Sequence, residues 1–164
     1  MKTPKELLEE ARVIAVVGCS DKPWRDSHQV ALFLKRAGYR VYAVNPTLRE
    51  VFGEPAYPDV TSVPEHVDIV DVFRRMENVP AVVEDAIAAG AGAVWLQQGI
   101  THPEAEKRAA DAGLHVVANL CIAVAFRMLR VRGPAQQEAE ASPAGAGRAE
   151  GDGEVSDSRS GSQR

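Results

Sequence analysis

Between residues 18 and 27 the chain gathers the side chains best suited to chemistry on an anion. Gly18, Ser20, Lys22, Arg25 and Ser27 lie within ten residues, directly after the five-residue apolar run Val13–Val17. Such a run, mostly β-branched and followed at once by glycine, reads as a strand buried on both faces. Ser27 is placed to cap the helix that follows, its hydroxyl accepting from a first-turn N–H. A strand, a glycine-containing loop and a helix start form a phosphate-binding arrangement: unpaired amides and the positive end of the helix dipole converge there. Lys22 and Arg25 add positive charge to the same loop.

Other chemistries find less support. The loop lacks the second and third glycines of G-x-G-x-x-G, since Ser20 takes the second place. The second strand ends Val44-Asn45-Pro46, without the acid that binds the adenosine ribose in an NAD site. There is no G-x-x-x-x-G-K-[ST] and no G-x-S-x-G. Cys19, Cys121 and the four histidines show no metal-ligand spacing. His102 and His115 read as a cap and a surface residue, and Cys19 as a small residue filling a tight loop. No catalytic residues and no metal are expected.

The elements that must position this loop follow from periodicity. Thr3-Pro4-Lys5-Glu6 has capping-box spacing and opens a short helix. Helical spacing continues from Ser27 to Ala37, and Val41–Val44 is the second strand. After a loop rich in Gly and Pro, Asp68–Phe73 is the third strand. A helix opened by Asn78 and Pro80, a strand Ala93–Gln97, a helix opened by Thr101–Glu104, a strand Leu114–Ala118 and a helix Ile122–Leu129 complete the pattern. Alternation of this kind predicts a Rossmann-like, doubly wound α/β fold: a five-stranded parallel sheet, order 3-2-1-4-5, with helices on both faces. Ligands of such sheets bind outside the carboxyl ends of the strands, at the switch point. That draws Asn45, Phe73, Arg74, Gln97 and Gly99 towards the Gly18 loop.

Composition sets the outer limits. The chain has 164 residues and a net charge of −4. Residues 133–164 hold six acids against three arginines, which leaves residues 1–132 at −1. A nearly neutral domain has no broad basic footprint for nucleic acid. The longest apolar runs are too short to span a membrane, and Glu6, Glu9 and Glu10 stand where a signal peptide needs apolar residues. With two cysteines read as reduced thiols, the cytoplasm is the expected compartment. Residues 1–132 are expected to form the domain. Residues 133–164, rich in Gly, Ala, Ser and Glu, are expected to form a disordered tail.

Several blocks in order carry a resemblance. Val16-Val17-Gly18-x-Ser20-Asp21-Lys22-Pro23, Gly38-Tyr39-x-Val41, Val44-Asn45-Pro46, Gly53-x-x-Ala56-Tyr57-Pro58, Val67–Arg74 and Val94-Trp95-Leu96-Gln97-x-Gly99-Ile100 resemble the small single-domain CoA-binding proteins of bacteria and archaea. The same domain is similar to the N-terminal CoA-binding domain of the succinyl-CoA synthetase alpha subunit. The resemblance implies coenzyme A as ligand, with its pyrophosphate held by the Gly18–Ser27 loop and Arg25. It implies Asn45 and Pro46 beside the adenosine, Phe73 and Arg74 along the nucleotide, and Gln97 and Gly99 flanking the pantetheine arm. Family members often carry Lys directly after Asn-Pro; this chain has Thr47, and Arg49 is the substitute cation. Where family members read Asp-Arg-Cys, the chain reads Asn119-Leu120-Cys121.

The histidine-bearing domain and ATP-grasp partner used by succinyl-CoA synthetase are not part of the resemblance. The expected function is therefore binding of CoA or an acyl-CoA without catalysis, as a carrier, sensor or regulatory module. The alternatives are a component of an acyl-CoA ligase or of a NAD(P)-dependent oxidoreductase. A further alternative is a mixed disulfide between the CoA thiol and Cys19 or Cys121. The sequence names no protein partner.

Overall fold

The computed structural model describes residues 1–142. Helix α1 (Pro4–Glu10) starts at a complete capping box, in which Thr3 accepts from the Glu6 amide and Glu6 reaches back to the Thr3 amide. Strand β1 (Val13–Val17) is buried at every position. Helix α2 (Asp26–Arg36) and strand β2 (Arg40–Val44) follow. A two-stranded hairpin, β3 (Glu50–Val51) with β4 (Glu54–Pro55), interrupts the next connection. Then come β5 (Ile69–Val72), α3 (Val79–Ala88), β6 (Ala93–Leu96), α4 (Pro103–Asp111), β7 (His115–Val117), α5 (Ile122–Met128) and α6 (Pro134–Ala141).

The main sheet is five-stranded and parallel, as the alternation of elements predicts, but its order is β2-β1-β5-β6-β7. Numbered by chain order within that sheet, this is 2-1-3-4-5 rather than the expected 3-2-1-4-5. The third strand pairs with β1, Ile14 opposite Ile69 and Val17 opposite Val72, and leaves β2 at the edge. The cause lies in residues 45–68. Val60, Val63 and Val67 pack with Val13, Ala15 and Val17 on the face that α3 and α4 also cover. A right-handed crossover on that face must carry the chain past β1 to its far side. The outer edge of β2 is partly closed by Tyr57, whose N–H donates to the Ala43 carbonyl at 2.9 Å and whose carbonyl accepts from Asn45 N–H at 2.8 Å.

The core has two layers. Leu7, Leu8, Ala31, Leu34, Ile122 and Ala125 bury one face of the sheet beneath α1, α2 and α5. Val79, Val83, Ala105 and Ala109 bury the other. Trp95 is wholly buried in the first of these layers, and its indole N–H donates to the Leu120 carbonyl at 2.8 Å.

The expected tail needs one correction. Residues 134–141 are helical and docked: Ala135 N–H donates to the Ala37 carbonyl at 3.0 Å, and Gln137 bonds the Glu9 carbonyl at 2.9 Å. Pro at the first position and a helix-compatible Ala-Gln-Gln-Glu run account for it. The rest of the expected tail, residues 143–164, lies outside the described residues.

Candidate functional site

Residues 18–27 leave β1 at its carboxyl end and turn back into α2. Gly18 has φ +83°, and a Cβ there would lie 2.2 Å from the Phe73 carbonyl oxygen. Only glycine allows β1 and β5 to approach at this point. The loop is wired by short side chains. Ser20 N–H donates to Ser27 Oγ at 3.0 Å, and Lys22 N–H donates to Ser20 Oγ at 3.0 Å. Asn45 Nδ2 donates to the Cys19 carbonyl at 3.0 Å while Asn45 Oδ1 accepts from the Thr47 amide and hydroxyl. The His28 ring meets the Ser20 carbonyl at 2.9 Å and lies against Phe52.

Ser27 is not the cap of α2. That position is Arg25, which makes no side-chain capping bond. Ser27 is instead the second helical residue, buried, with its hydroxyl committed to the loop. The first-turn amides of an eleven-residue helix are therefore left without a side-chain cap. They face a crevice of about 600 Å³ lined by Gly18, Ser20, Trp24, Arg25, Asp26, Ser27, Asn45 and Phe73. Amide donors, the helix dipole and one guanidinium there suit an anion such as a phosphate.

The predicted residues divide into three groups. Gly18, Ser20, Arg25, Ser27, Asn45 and Phe73 meet in the crevice. Pro46 and Arg74 line a neighbouring slot of about 110 Å³ with Val17, Val44, Asp59 and Asp85. Consecutive residues at a strand end point to opposite faces, so Phe73 and Arg74 separate. Arg74 Nε is buried and without a partner among the described residues. Burial raises the Asp85 carboxyl above its ordinary pKa, with Asp59 adding to the effect.

Lys22, Arg49, Gln97 and Gly99 form the third group, outside the crevice walls. The strand order explains two of them. The neighbour of β1 is β5, so the loop after β6 is one strand farther away than the order 3-2-1-4-5 would put it. Gly99 N–H bonds Asn119 Oδ1 at 2.7 Å. Gln97 is buried and its amide donates to Asp71. Lys22 and Arg49 are exposed.

Trp24, Asp26 and Asp71 were missed by sequence reasoning. Trp24 is 71% exposed at the rim of the crevice, an aromatic in a polar loop, which is itself a signal. Asp71 is an acid inside an otherwise apolar strand. Among the thiols, Cys19 is fully buried and its pKa is pushed up to about 12 by burial, then by Asp71. While the loop is closed, a shielded, protonated thiol of this kind is a poor nucleophile. Cys121 is partly exposed. As expected, His102 caps a helix, its Nδ1 accepting from Ala105 N–H at 3.2 Å; His115 Nδ1 accepts from the Lys2 amide. Among the described residues no helix is long and apolar enough to cross a membrane.

Fold and site together define an α/β protein with a polar crevice at the switch point of a doubly wound parallel sheet. Residues 12–127 match the family described as CoA binding domain, and the chain belongs to that family. An uncharacterized protein of Bacillus subtilis, YneT, is 41% identical over 126 residues, 77% of this chain and 93% of that protein. A hypothetical protein from Pyrococcus horikoshii OT3 superposes with a TM-score of 0.75 at 40% identity, over 77% of this chain and 89% of that one. An ADP-forming acetate–CoA ligase I of Archaeoglobus fulgidus is 36% identical over 80 residues, 49% of this chain but 12% of the ligase.

Proposed function

We propose that the chain binds coenzyme A or an acyl-CoA in the crevice between β1, β2 and β5, as a binding module without chemistry of its own. The observation that carries this reading is the uncapped start of α2 opening into a crevice that also holds Arg25. The pyrophosphate would take the amides of the Gly18–Ser27 loop and the Arg25 guanidinium. The adenosine would lie towards Asn45 and Pro46, with Phe73 and Arg74 along the nucleotide. The pantetheine arm would leave past Gly99, whose backbone is exposed beside Asn119. Gln97 would act from beneath, through Asp71, rather than by touching the arm. Membership of the CoA-binding family supports the ligand, and the absence of an acid after Val44 speaks against NAD. Reduced cysteines fit the cytoplasm.

Calorimetric titration with CoA, dephospho-CoA and NAD tests the reading. CoA should bind, and NAD should not compete at similar concentration. The 36% identity to one segment of an ADP-forming acetate–CoA ligase favours a second reading: this chain would supply the CoA site of a ligase whose ATP-using chain is separate. ATP-dependent acyl-CoA formation after adding such a chain would support it, and none with any acyl substrate would remove it.

A further inference from the structure

Asp71 stands third in β5, between β1 and β6, with no exposed surface. Strand alternation turns it to the face covered by α2 and α5. Its Oδ1 accepts from Gln97 Nε2, and its Oδ2 has no partner. No cation contributes to its environment. From the loop after β1 the titratable group facing it is the buried Cys19 thiol. From β6 it meets the neutral Gln97 amide. Helix α2 carries His28, whose ring is engaged by the Ser20 carbonyl and Phe52. Helix α5 turns the apolar Ile122 into this layer.

A carboxylate in such a place has no counter-charge and one donor, so the neutral acid is the form the site accommodates. Burial accordingly pushes Asp71 up to about 8, against the lowering effect of Gln97. Above that pH the charge must be relieved by movement or by water. Strands β1, β5 and β6 are fixed by their ladders. The loop starting at Cys19 has no ladder and is held instead by the side-chain bonds of Ser27, Asn45 and His28. It is the part that can give.

We propose that Asp71 is a proton-operated latch beneath the ligand loop: neutral, it lets the loop that starts at Cys19 stay closed with the Cys19 thiol buried; ionised, it opens that loop and weakens ligand binding. The ligand half of this proposal rests on the CoA reading above, whereas the latch itself is readable in the free protein.

The experiment follows Cys19 modification by a disulfide reagent in a Cys121→Ser background, with Asp71 intact and as Asp71→Asn. Asn keeps an acceptor for Gln97 and is neutral at every pH. The rate with Asp71 relative to that with Asn should rise about tenfold from pH 7 to pH 9, as a midpoint of about 8 requires. A constant ratio would overturn the latch. Should Asp71→Asn fail to fold, carboxyl-carbon NMR of the intact chain decides: a midpoint near 8 supports the latch, and one near 4 overturns it. CoA titrated into both proteins separates the two claims. A rising ratio with no CoA binding at any pH leaves the latch standing and removes the CoA reading. CoA binding with the same pH dependence in both proteins overturns the latch as a control on ligand.

Discussion

The hydroxyl of Ser27, the second residue of α2, accepts the amide hydrogen of Ser20 at 3.0 Å. This bond folds the loop after β1 back onto the helix it precedes, and it leaves Arg25 rather than a serine at the helix start. A residue chosen as a cap by its type is thus used as a tie. The amides it does not satisfy are those of the helix start at the crevice.

Ser27→Ala should loosen the loop. Ser27 is buried and the Ser20 amide would lose its partner, so a loss of about 1–3 kcal/mol is expected in urea unfolding. CoA affinity should fall as well. Wild-type stability would show the tie to be dispensable.

Gly18→Ala should be worse. The positive φ and a Cβ 2.2 Å from the Phe73 oxygen force β1 and β5 apart; a cost of more than about 2 kcal/mol is expected from left-handed strain and the clash together. The reason is strand packing, not ligand approach, so thermal stability should drop before any ligand is added.

Arg25→Ala separates binding from folding. Arg25 lines the crevice and has no ion-pair partner among the described residues. Its removal should leave the melting temperature nearly unchanged while weakening CoA by about 1.5–3 kcal/mol, the range for hydrogen bonds to charged groups. Equal affinity by calorimetry would remove it from the site.

Stability should depend on pH through Asp71. Its folded pKa is raised above the ordinary carboxylate value, so its contribution is complete below the unfolded pKa and is lost as pH rises towards about 8. Between those limits the slope approaches about −1.4 kcal/mol per pH unit. Urea midpoints of the wild type should fall across this window relative to Asp71→Asn; parallel curves would mean that Asp71 is ionised in the folded chain.

Ending the chain at Arg132 should lower the melting temperature. The cut removes α6, with the Ala135–Ala37 bond and the Gln137 contacts to Glu9 and Arg12. An unchanged melting temperature would show that the helix is not part of the domain.

The main parallel sheet and the loop were legible because their signals are local. Buried runs such as Val13–Val17, helix-closing glycines and the Thr3–Glu6 capping box act over a few residues. Strand order was not read correctly, since it depends on which face residues 45–68 cover. A signal was nevertheless present: β2 begins with exposed Arg40 whereas β5 is buried throughout, the difference between an edge strand and a central one. With β5 between β1 and β6, Gln97 and Gly99 stand one strand beyond the crevice lining. The short hairpin β3–β4 escaped because two-residue strands carry no periodicity. Helix α6 escaped because its composition is polar and it is held by contacts far away in sequence.

Calorimetric titration of the purified protein with CoA, with NAD run alongside, tests the central claim most directly. The account predicts CoA binding in the micromolar range, with NAD far weaker. No heat with CoA, or equal affinity for NAD, would contradict it.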